Sequence, residues 1–551
     1  LILPSDIFLL REGLTATLRD ALRACGVEDG PVSLERPKDP SHGDLAIPTA
    51  MGLAKRLKRP PLEIAKEILG HCRWDPTWVA SAELAPPGFI NLRLQPQVLQ
   101  AVLGAALRKD RGYGHSLQAK GERVLLEFVS ANPTGPLNVV SARAAALGDS
   151  IGNLLAAAGA EVTKEYYVND AGVQARLFGE SLLAAVSRVK GVPADAPEGG
   201  YQGAYMEDLA REYIDLFEGK GRTPPQDPGA WGMERVLGWH QASLKGYEVK
   251  FDRWFSERKE LHESGAVAST IERLKKEGLT YEKEGALWFK VSEFGAPKDE
   301  VLVKSDGKPA YFTPDIAYHL DKYARGYDRI LDILGPDHHG HIQRLKAAMT
   351  ALHLPVEKLT VLVAQQVNLL EGGEKVKMSK REGKFVKMDD LLSEAGKDAA
   401  RYFFVMRSAN THLDFDLEVA RKHTDENPVF YVQYAHARIH SLLRKCAEKG
   451  LHPAKEDGDF GSLREPEALL LLKGILEYPE WVAESGKTYE PHRIVAFLQG
   501  LAADFHLFYS KHRILDADPP VARARLGLVL GVATVLRNAL GLLGVSAPEQ
   551  M

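Results

Sequence analysis

The hydrophobic pattern between residues 122 and 170 changes period twice, and the change predicts a strand, a helix and a second strand. Val124-Leu125-Leu126-Glu127-Phe128-Val129 is a short, nearly continuous apolar run, as expected of a strand buried on both faces. Asn132-Pro133-Thr134-Gly135-Pro136 comes next as a cluster of turn residues. Leu147, Ile151, Leu154, Leu155 and Ala158 then recur at helical spacing, and Gly159 stands where the helix would stop. Val162 to Val168 reads as the second strand. A strand–helix–strand unit this compact implies a parallel sheet.

The same reading divides the rest of the chain. Residues 1 to about 115 predict a separate α+β unit. Arg11 to Arg23 has the pattern of a charged amphipathic helix, and Pro31, Pro37 and Pro40 interrupt the chain after it. A second helix pattern begins near Ile47; Ala85-Pro86-Pro87-Gly88 is a turn, and Phe89 to Leu94 alternates as a strand. A parallel-sheet unit spans about 116–395, with an insertion at about 190–300 whose charged helical patterns are broken at Gly191 to Gly200 and at Pro224 to Gly229. Arg329 to Leu334 and Leu359 to Val363 are further strand candidates. From residue 396 to 551 strand signals are few and long amphipathic helix patterns dominate. The most apolar stretch, Leu526 to Leu536, is cut by Arg537 and Asn538, short of the ~20 residues a bilayer requires.

Composition narrows the function classes. Of 551 residues 45% are hydrophobic and 26% charged, which excludes a disordered or fibrous chain. The 70 basic and 74 acidic residues balance to −4, so nucleic acid would have to be met by local patches. Cys25, Cys72 and Cys446 lie far apart with no C-x-x-C pair, which argues against a disulfide framework or a cysteine zinc site. No signal-peptide pattern opens the chain, and a cytoplasmic setting is expected.

Two segments carry candidate chemistry. The turn before the helix holds Asn132, Thr134, Gly135, Asn138 and Ser141, where an open parallel sheet receives ligands and a helix N-terminus offers N–H groups to anions. Taken alone, it reads equally as an ordinary turn. Lys375 to Lys384 contains four lysines and an arginine beside Ser379 and Gly383. Such cations suit a triphosphate, although a basic run alone is commonly a solvated loop.

In this order, and separated by an insertion, the two segments resemble the paired signatures of class I aminoacyl-tRNA synthetases, known by their consensus letters as HIGH and KMSKS. Lys377-Met378-Ser379-Lys380 matches the second, and Gly335-Pro336-Asp337-His338-His339-Gly340-His341 resembles the class's G-x-D-x-x-x-H stretch. Within the class the likeness is to arginyl-tRNA synthetases. It is carried by Glu127 to Leu137, by Tyr311-Phe312-Thr313-Pro314-Asp315-Ile316-Ala317, by Tyr431 to Arg438 and by Leu543 to Pro548. The first 115 residues are similar to that family's tRNA-contacting N-terminal domain. One departure stands at the first signature: where the pattern has His-x-Gly-His, this chain has Asn138-Val139-Val140-Ser141.

The resemblance implies an α/β multidomain enzyme: a Rossmann-type catalytic domain carrying a KMSKS loop at about 371–386, and a helical anticodon-binding domain. It implies ATP-dependent activation of L-arginine and transfer to the 3′ end of tRNA(Arg), with Mg²⁺ accompanying ATP, no tightly bound cofactor, no metal of its own, no membrane, and a monomer. Asn138, Ser141, Lys377 and Lys380 become the catalytic candidates. Thr134, Gly135, Pro136, Leu137, Val140, Gly335, Asp337, His341, Met378 and Ser379 become the ATP candidates. Glu127, Ser130, Asn132, Tyr311, Asp315 and His338 become the arginine candidates, and Tyr431, Gln433, Tyr434, His436 and Arg438 the tRNA candidates. Chemistry supports Asp315 independently, because a guanidinium is a permanently charged planar fork that pairs with carboxylate oxygens. Glu284 is a second candidate for that role. Gly486-Lys487-Thr488 imitates the end of a phosphate-binding loop, but Trp481 stands where its first glycine belongs, so a helix-connecting loop is expected. Two alternatives stay open at this point: a synthetase-like paralogue, and a non-catalytic RNA-binding protein with a decayed nucleotide site.

Overall fold

A computed structural model describes residues 6–37, 39–336, 339–376 and 386–551. In the N-terminal unit, α1 (Ile7–Ala24) begins where the Asp6 carboxylate accepts from Phe8 N and Leu9 N at 3.1 Å, satisfying N–H groups that have no partner within the helix. Ile7, Leu10, Leu14, Leu18, Ala21 and Leu22 form its buried stripe. β1 (Leu45–Ile47), α2 (Thr49–Leu57), α3 (Pro61–His71), β2 (Val79–Ala85), β3 (Phe89–Leu94) and α4 (Pro96–Lys109) follow. The strands pair antiparallel in the order β1-β3-β2.

The central unit contains β4 (Arg123–Glu127), α5 (Val139–Ala157), β5 (Glu161–Val168), α6 (Gly172–Val189), α7 (Ala204–Ile214), α8 (Pro228–Gly246), β6 (Arg253–Ser256) and α9 (Ala266–Lys276). It continues through β7 (Thr280–Lys283), β8 (Ala286–Phe289), β9 (Glu300–Val303), α10 (Phe312–Ala324), β10 (Arg329–Leu334), α11 (His339–Ala351) and β11 (Leu359–Val363). The main sheet is parallel, in the order β11-β10-β4-β5-β6. From β4 the chain winds first toward β6 and later returns to β4's other side with β10. That reversal opens a crevice at the carboxyl ends of the strands, where ligands of such sheets bind.

The structure corrects the predicted insertion. β6 pairs with β5 through Glu165↔Arg253 to Val168↔Ser256, so the 190–300 segment is not one excursion. It is a helical piece, α7 and α8, packed with the preceding α6, and a later piece containing the small antiparallel sheet β7-β8-β9. Four residues with one buried side chain make too short a pattern to read as β6. The boundary at 395/396 moves as well. After β12 (Val367–Glu371), β13 (Glu374–Lys375), α12 (Met388–Ala395) and α13 (Lys397–Val405), the strand β14 (Leu413–Asp416) pairs parallel with β12. The central unit therefore runs through α14 (Leu417–Arg421).

The last unit is the bundle α15 (Pro428–Glu448), α16 (Pro466–Thr488), α17 (His492–Lys511) and α18 (Pro519–Leu542). The stretch expected to be too short for a membrane lies inside α18, whose 24 residues are long and apolar enough by length and composition. It is the bundle's core helix: Leu526, Leu528, Val529, Val532, Val535 and Leu536 are fully buried. The helix passes Arg537 and Asn538 because both find partners in Asp110, the first on its carboxylate and the second on its carbonyl. Gly486-Lys487-Thr488 is the last turn of α16 rather than a connecting loop.

Buried ion pairs join the units. Arg11 and Arg36 of the N-terminal unit both donate to Glu480 of α16, at 2.9 and 2.8 Å. Arg401 of α13 is fully buried, pairs with Asp149 of α5, and donates to Leu543 O at 2.8 Å beyond α18.

Candidate active site

The carboxyl end of β4 leads into a loop with unusual backbone. Val129 and Ser130 have φ of +69° and +39°, a region costly for residues with a Cβ and met mainly where function over-determines it. Ser130 Oγ donates to Glu127 Oε1 at 2.8 Å and accepts from Tyr167 N at 3.1 Å. Both bonds are internal, so Ser130 orients Glu127. Thr134 and Leu137 are buried, and Gly135, Pro136 and Val140 are half-buried.

Asn138 caps α5. Its Oδ1 accepts from Ser141 N at 3.0 Å and from Ser141 Oγ at 3.3 Å. The cap uses the amide oxygen, so the Nδ2 donor points the other way, as the substitution for histidine requires. Ser141, by contrast, spends its hydroxyl on the cap. The paired change Asn138→Ala with Ser141→Ala is expected to slow single-turnover activation about five- to thirtyfold, the loss of one or two hydrogen bonds of ~1 kcal/mol each. Wild-type rates in that variant would take both side chains out of the reaction.

On the other side of the crevice lies an acidic pocket. Asp315, in the first turn of α10, is half-buried, and its enclosed Oδ2 lacks a hydrogen-bond partner among the described residues. The Nε2 of His341 is 3.5 Å from that oxygen, which puts His341, expected among the ATP groups, beside the carboxylate. Burial pushes the Asp315 carboxyl well above the usual carboxylate range, and the nearby Glu257 and Glu127 carboxylates add to the shift. Glu257, directly after β6, is buried with Oε1 3.1 Å from His262 Nε2. Tyr167 stands beside both acids, and burial together with Glu257 and Asp315 raises its phenol.

Glu127 is already neutralised. The fully buried Lys322 donates to its Oε2 at 2.5 Å and to Asp332 Oδ1 at 2.6 Å. Asp315 and Glu257 are bonded by no lysine or arginine among the described residues and have histidines nearby, His341 at 3.5 Å and His262 at 3.1 Å; two such carboxylates can pair with a cationic fork. Asn132 Nδ2 donates to Gln174 Oε1 at 2.5 Å, which leaves the acceptor Oδ1 on the other side of the amide. Tyr311 is 65% exposed at the rim. Glu284 lies in the β7–β8 turn, exposed, at φ +55°; its candidacy for the guanidinium passes to Glu257, which sequence reasoning does not find. Glu257 comes after a strand too short to detect, and no motif marks it.

Gly335 leaves the end of β10. Asp337, His338, Lys377, Met378, Ser379 and Lys380 lie outside the described residues. The segments flanking the lysines are described, and they converge on α5. Val376 N donates to Leu369 O at 2.9 Å, and Met388 N to Leu137 O at 2.8 Å. Lys387 forms a bridge with Asn138. Arg143, buried on α5, donates to Gln365 O at 2.9 Å and Ser408 O at 3.0 Å, fixing the start of β12.

In the bundle, Arg438 lies between the rings of Tyr434 and Tyr509, at 5.1 and 4.8 Å. Tyr431 contacts His506 at 5.0 Å, and Phe430 stacks with Tyr434 at 6.0 Å. This aromatic–cation face matches the expected grouping of Tyr431, Tyr434 and Arg438, and it adds Tyr509 and His506 from α17. Gln433 and His436 are corrected. Both are buried; Gln433 donates to Asp398 and Ser546 O, and His436 Nδ1 donates to Pro548 O at 2.8 Å. They anchor the C-terminal tail and do not face a ligand.

Comparison with known proteins gives three consecutive family matches. Residues 10–94 match the arginyl tRNA synthetase N terminal domain, 202–422 the class I (R) tRNA synthetase catalytic domain, and 432–551 the DALR anticodon binding domain. An arginine–tRNA ligase of Desulforamulus reducens is 44% identical over 560 residues, covering 98% of this chain and 100% of its own. One of Symbiobacterium thermophilum is 45% identical over 550 residues, covering 98% of each. The structure of Thermus thermophilus arginyl-tRNA synthetase shares the fold with a TM-score of 0.78 at 24% identity, over 98% of this chain and 100% of that one. With the capped nucleotide helix and the acidic pocket meeting at one crevice, and near-complete coverage at this identity, the chain belongs to the class I arginyl-tRNA synthetase family.

Proposed function

We propose that the protein is an arginine–tRNA ligase that activates L-arginine with MgATP and transfers it to the 3′-terminal ribose of tRNA(Arg). The observation that carries this reading is a pair of carboxylates, Asp315 and Glu257, bonded by no lysine or arginine among the described residues, in the crevice that also receives the N-terminus of α5. The guanidinium sits between these acids, and Asn132 Oδ1 takes the α-ammonium. The arginine carboxylate then faces the α-phosphorus of ATP. Its oxygen attacks, the bond to the bridging oxygen breaks, and pyrophosphate leaves. The ribose hydroxyl of tRNA next attacks the adenylate carbonyl and releases AMP. The chain's part is positioning and neutralisation of charge: the first turn of α5, Asn138 Nδ2, Lys377 and Lys380 meet the phosphates. Tyr431, Tyr434 and Arg438, with Tyr509, take unpaired anticodon bases by stacking. The enzyme works in the cytoplasm as a monomer.

The acidic pocket also weighs against a decayed, non-catalytic relative. A buried carboxylate without its counter-charge costs stability, and a protein that no longer bound the cation would gain from losing it. Pyrophosphate exchange with each amino acid in turn, with and without bulk tRNA, tests the proposal. Exchange dependent on arginine supports it; exchange with another amino acid, or none under any condition, rejects it.

Asp315 also gives arginine binding a pH dependence. Its carboxyl is raised, so falling pH protonates it in the free enzyme, and arginine must then displace that proton. The arginine KM is expected to rise by up to about tenfold per pH unit on the acid side of this raised pKa, with proton release on binding measurable by calorimetry in buffers of different ionisation enthalpy. The sign for stability is the reverse. A raised carboxyl favours the fold below the unfolded pKa, and that contribution is lost as pH rises through the folded value; arginine restores it. An arginine KM indifferent to pH, with no proton released, would remove Asp315 from the pocket's charge balance.

A further inference from the structure

We infer that His240, together with Tyr166 and Tyr205, is a positioning element for nucleotide binding, through which the helical insertion holds the 131–137 loop by its peptide groups. The inference rests on the ATP-dependent reading above.

The loop makes few backbone bonds of its own, and three side chains outside it supply anchors. Tyr205 of α7 donates from its hydroxyl to Thr134 O at 3.0 Å. The Nε2 of His240, on α8, is 2.7 Å from Gly135 O, and its Nδ1 is 2.9 Å from the hydroxyl of Tyr166. Tyr166, on β5, also accepts from Ala131 N at 3.1 Å. His240 and Tyr166 are fully buried, and Tyr205 nearly so.

Proton counting fixes the roles. A carbonyl oxygen can only accept, so Nε2 carries the imidazole proton toward Gly135 O. Burial lowers the His240 imidazole to about 4, so the ring holds this one proton near neutrality, and Nδ1 is left as an acceptor facing the Tyr166 hydroxyl, whose single proton lies between Nδ1 at 2.9 Å and Ala131 O at 3.0 Å. The residue after Gly135 is Pro136, which has no N–H; that peptide unit exposes only its carbonyl, and His240 takes it. In a trans peptide the N–H points opposite the carbonyl. With Thr134 O drawn toward α7, the N–H of Gly135 is turned away from the insertion, and among the described residues it has no protein acceptor. A short-radius loop next to a helix N-terminus that presents free N–H groups favours an anion. This matters more here than where the first signature carries two imidazoles, because Asn138 and Ser141 cannot supply positive charge.

The test is steady-state ATP–pyrophosphate exchange with arginine and tRNA present, alongside thermal unfolding, for His240→Ala, His240→Gln and Tyr205→Phe. His240→Ala is expected to raise the ATP KM about ten- to thirtyfold and Tyr205→Phe about three- to tenfold, as for anchoring hydrogen bonds removed. The arginine KM should rise by less than the ATP KM, because of this loop only Asn132 is assigned to arginine. His240→Gln retains an N–H donor and should return the ATP KM to within about threefold of wild type. A parallel rise of both KM values, or wild-type ATP parameters in His240→Ala and Tyr205→Phe, overturns the inference. If His240→Ala does not fold, Tyr205→Phe and His240→Gln decide by the same criteria. A wild-type enzyme without arginine-dependent exchange instead rejects the ATP reading, and the inference with it.

Discussion

Asp315→Asn is expected to raise the arginine KM by about two to three orders of magnitude while the ATP KM stays within about twofold. Removing one partner of a buried charge pair costs ~3–5 kcal/mol, and each 1.4 kcal/mol is a factor of about ten. The geometry makes this residue the sensitive one. Asp315 Oδ2 has no hydrogen-bonding partner among the described residues, whereas the nearby Glu127 is already paired with Lys322. The amide of Asn is the same size, so the loss isolates charge from shape. It should also abolish the pH dependence of arginine binding, since the titrating group is gone. Steady-state kinetics with arginine and ATP varied separately measures both effects. An arginine KM unchanged in Asp315→Asn would leave Glu257 as the guanidinium's sole acid.

Lys380→Ala is expected to slow arginine activation by about two to four orders of magnitude, the range for a lost charge-stabilising donor. The flanking segments explain why this loop can act on the phosphates. Before it, Arg143 fixes the start of β12, and β12 and β13 form a hairpin; after it, Lys387 and Met388 bond to Asn138 and Leu137. Gly372 and Gly373 are the turn of that hairpin, at φ of +61° and +78°; only glycine takes such values without strain. Gly383 lies outside the described residues. Single-turnover adenylate formation in Lys380→Ala measures the effect, and a full wild-type rate would exclude the loop from the activation step.

Much of the fold is legible in the chain itself. The strands Phe89–Leu94, Arg329–Leu334 and Leu359–Val363 occur with the bounds that their alternation or apolar runs predict. The β4–α5–β5 unit tracks its change of period, and Gly159, at φ +100°, lies just past the end of α5. These features depend on local periodicity and on backbone conformations that few residues adopt, and both are written in consecutive residues. Asp315 is likewise legible, because the fixed charge of a guanidinium demands a carboxylate.

The tertiary structure alone decides which polar groups remain unpaired. Glu127, Asp315 and Glu257 are the same kind of acid in the sequence. Lys322, far along the chain on α10, pairs with the first, whereas the other two have only histidines, His341 and His262, close by. Gln433 and His436 share a helix with Tyr434 and Arg438, yet the C-terminal tail consumes the first pair and leaves the second beside Tyr509. β6 and β14 are four residues each, too short for periodicity to announce, and they exist because a neighbouring strand supplies their hydrogen bonds. A side chain's chemistry is local, but its availability depends on partners brought from tens or hundreds of residues away, and only the folded chain determines those.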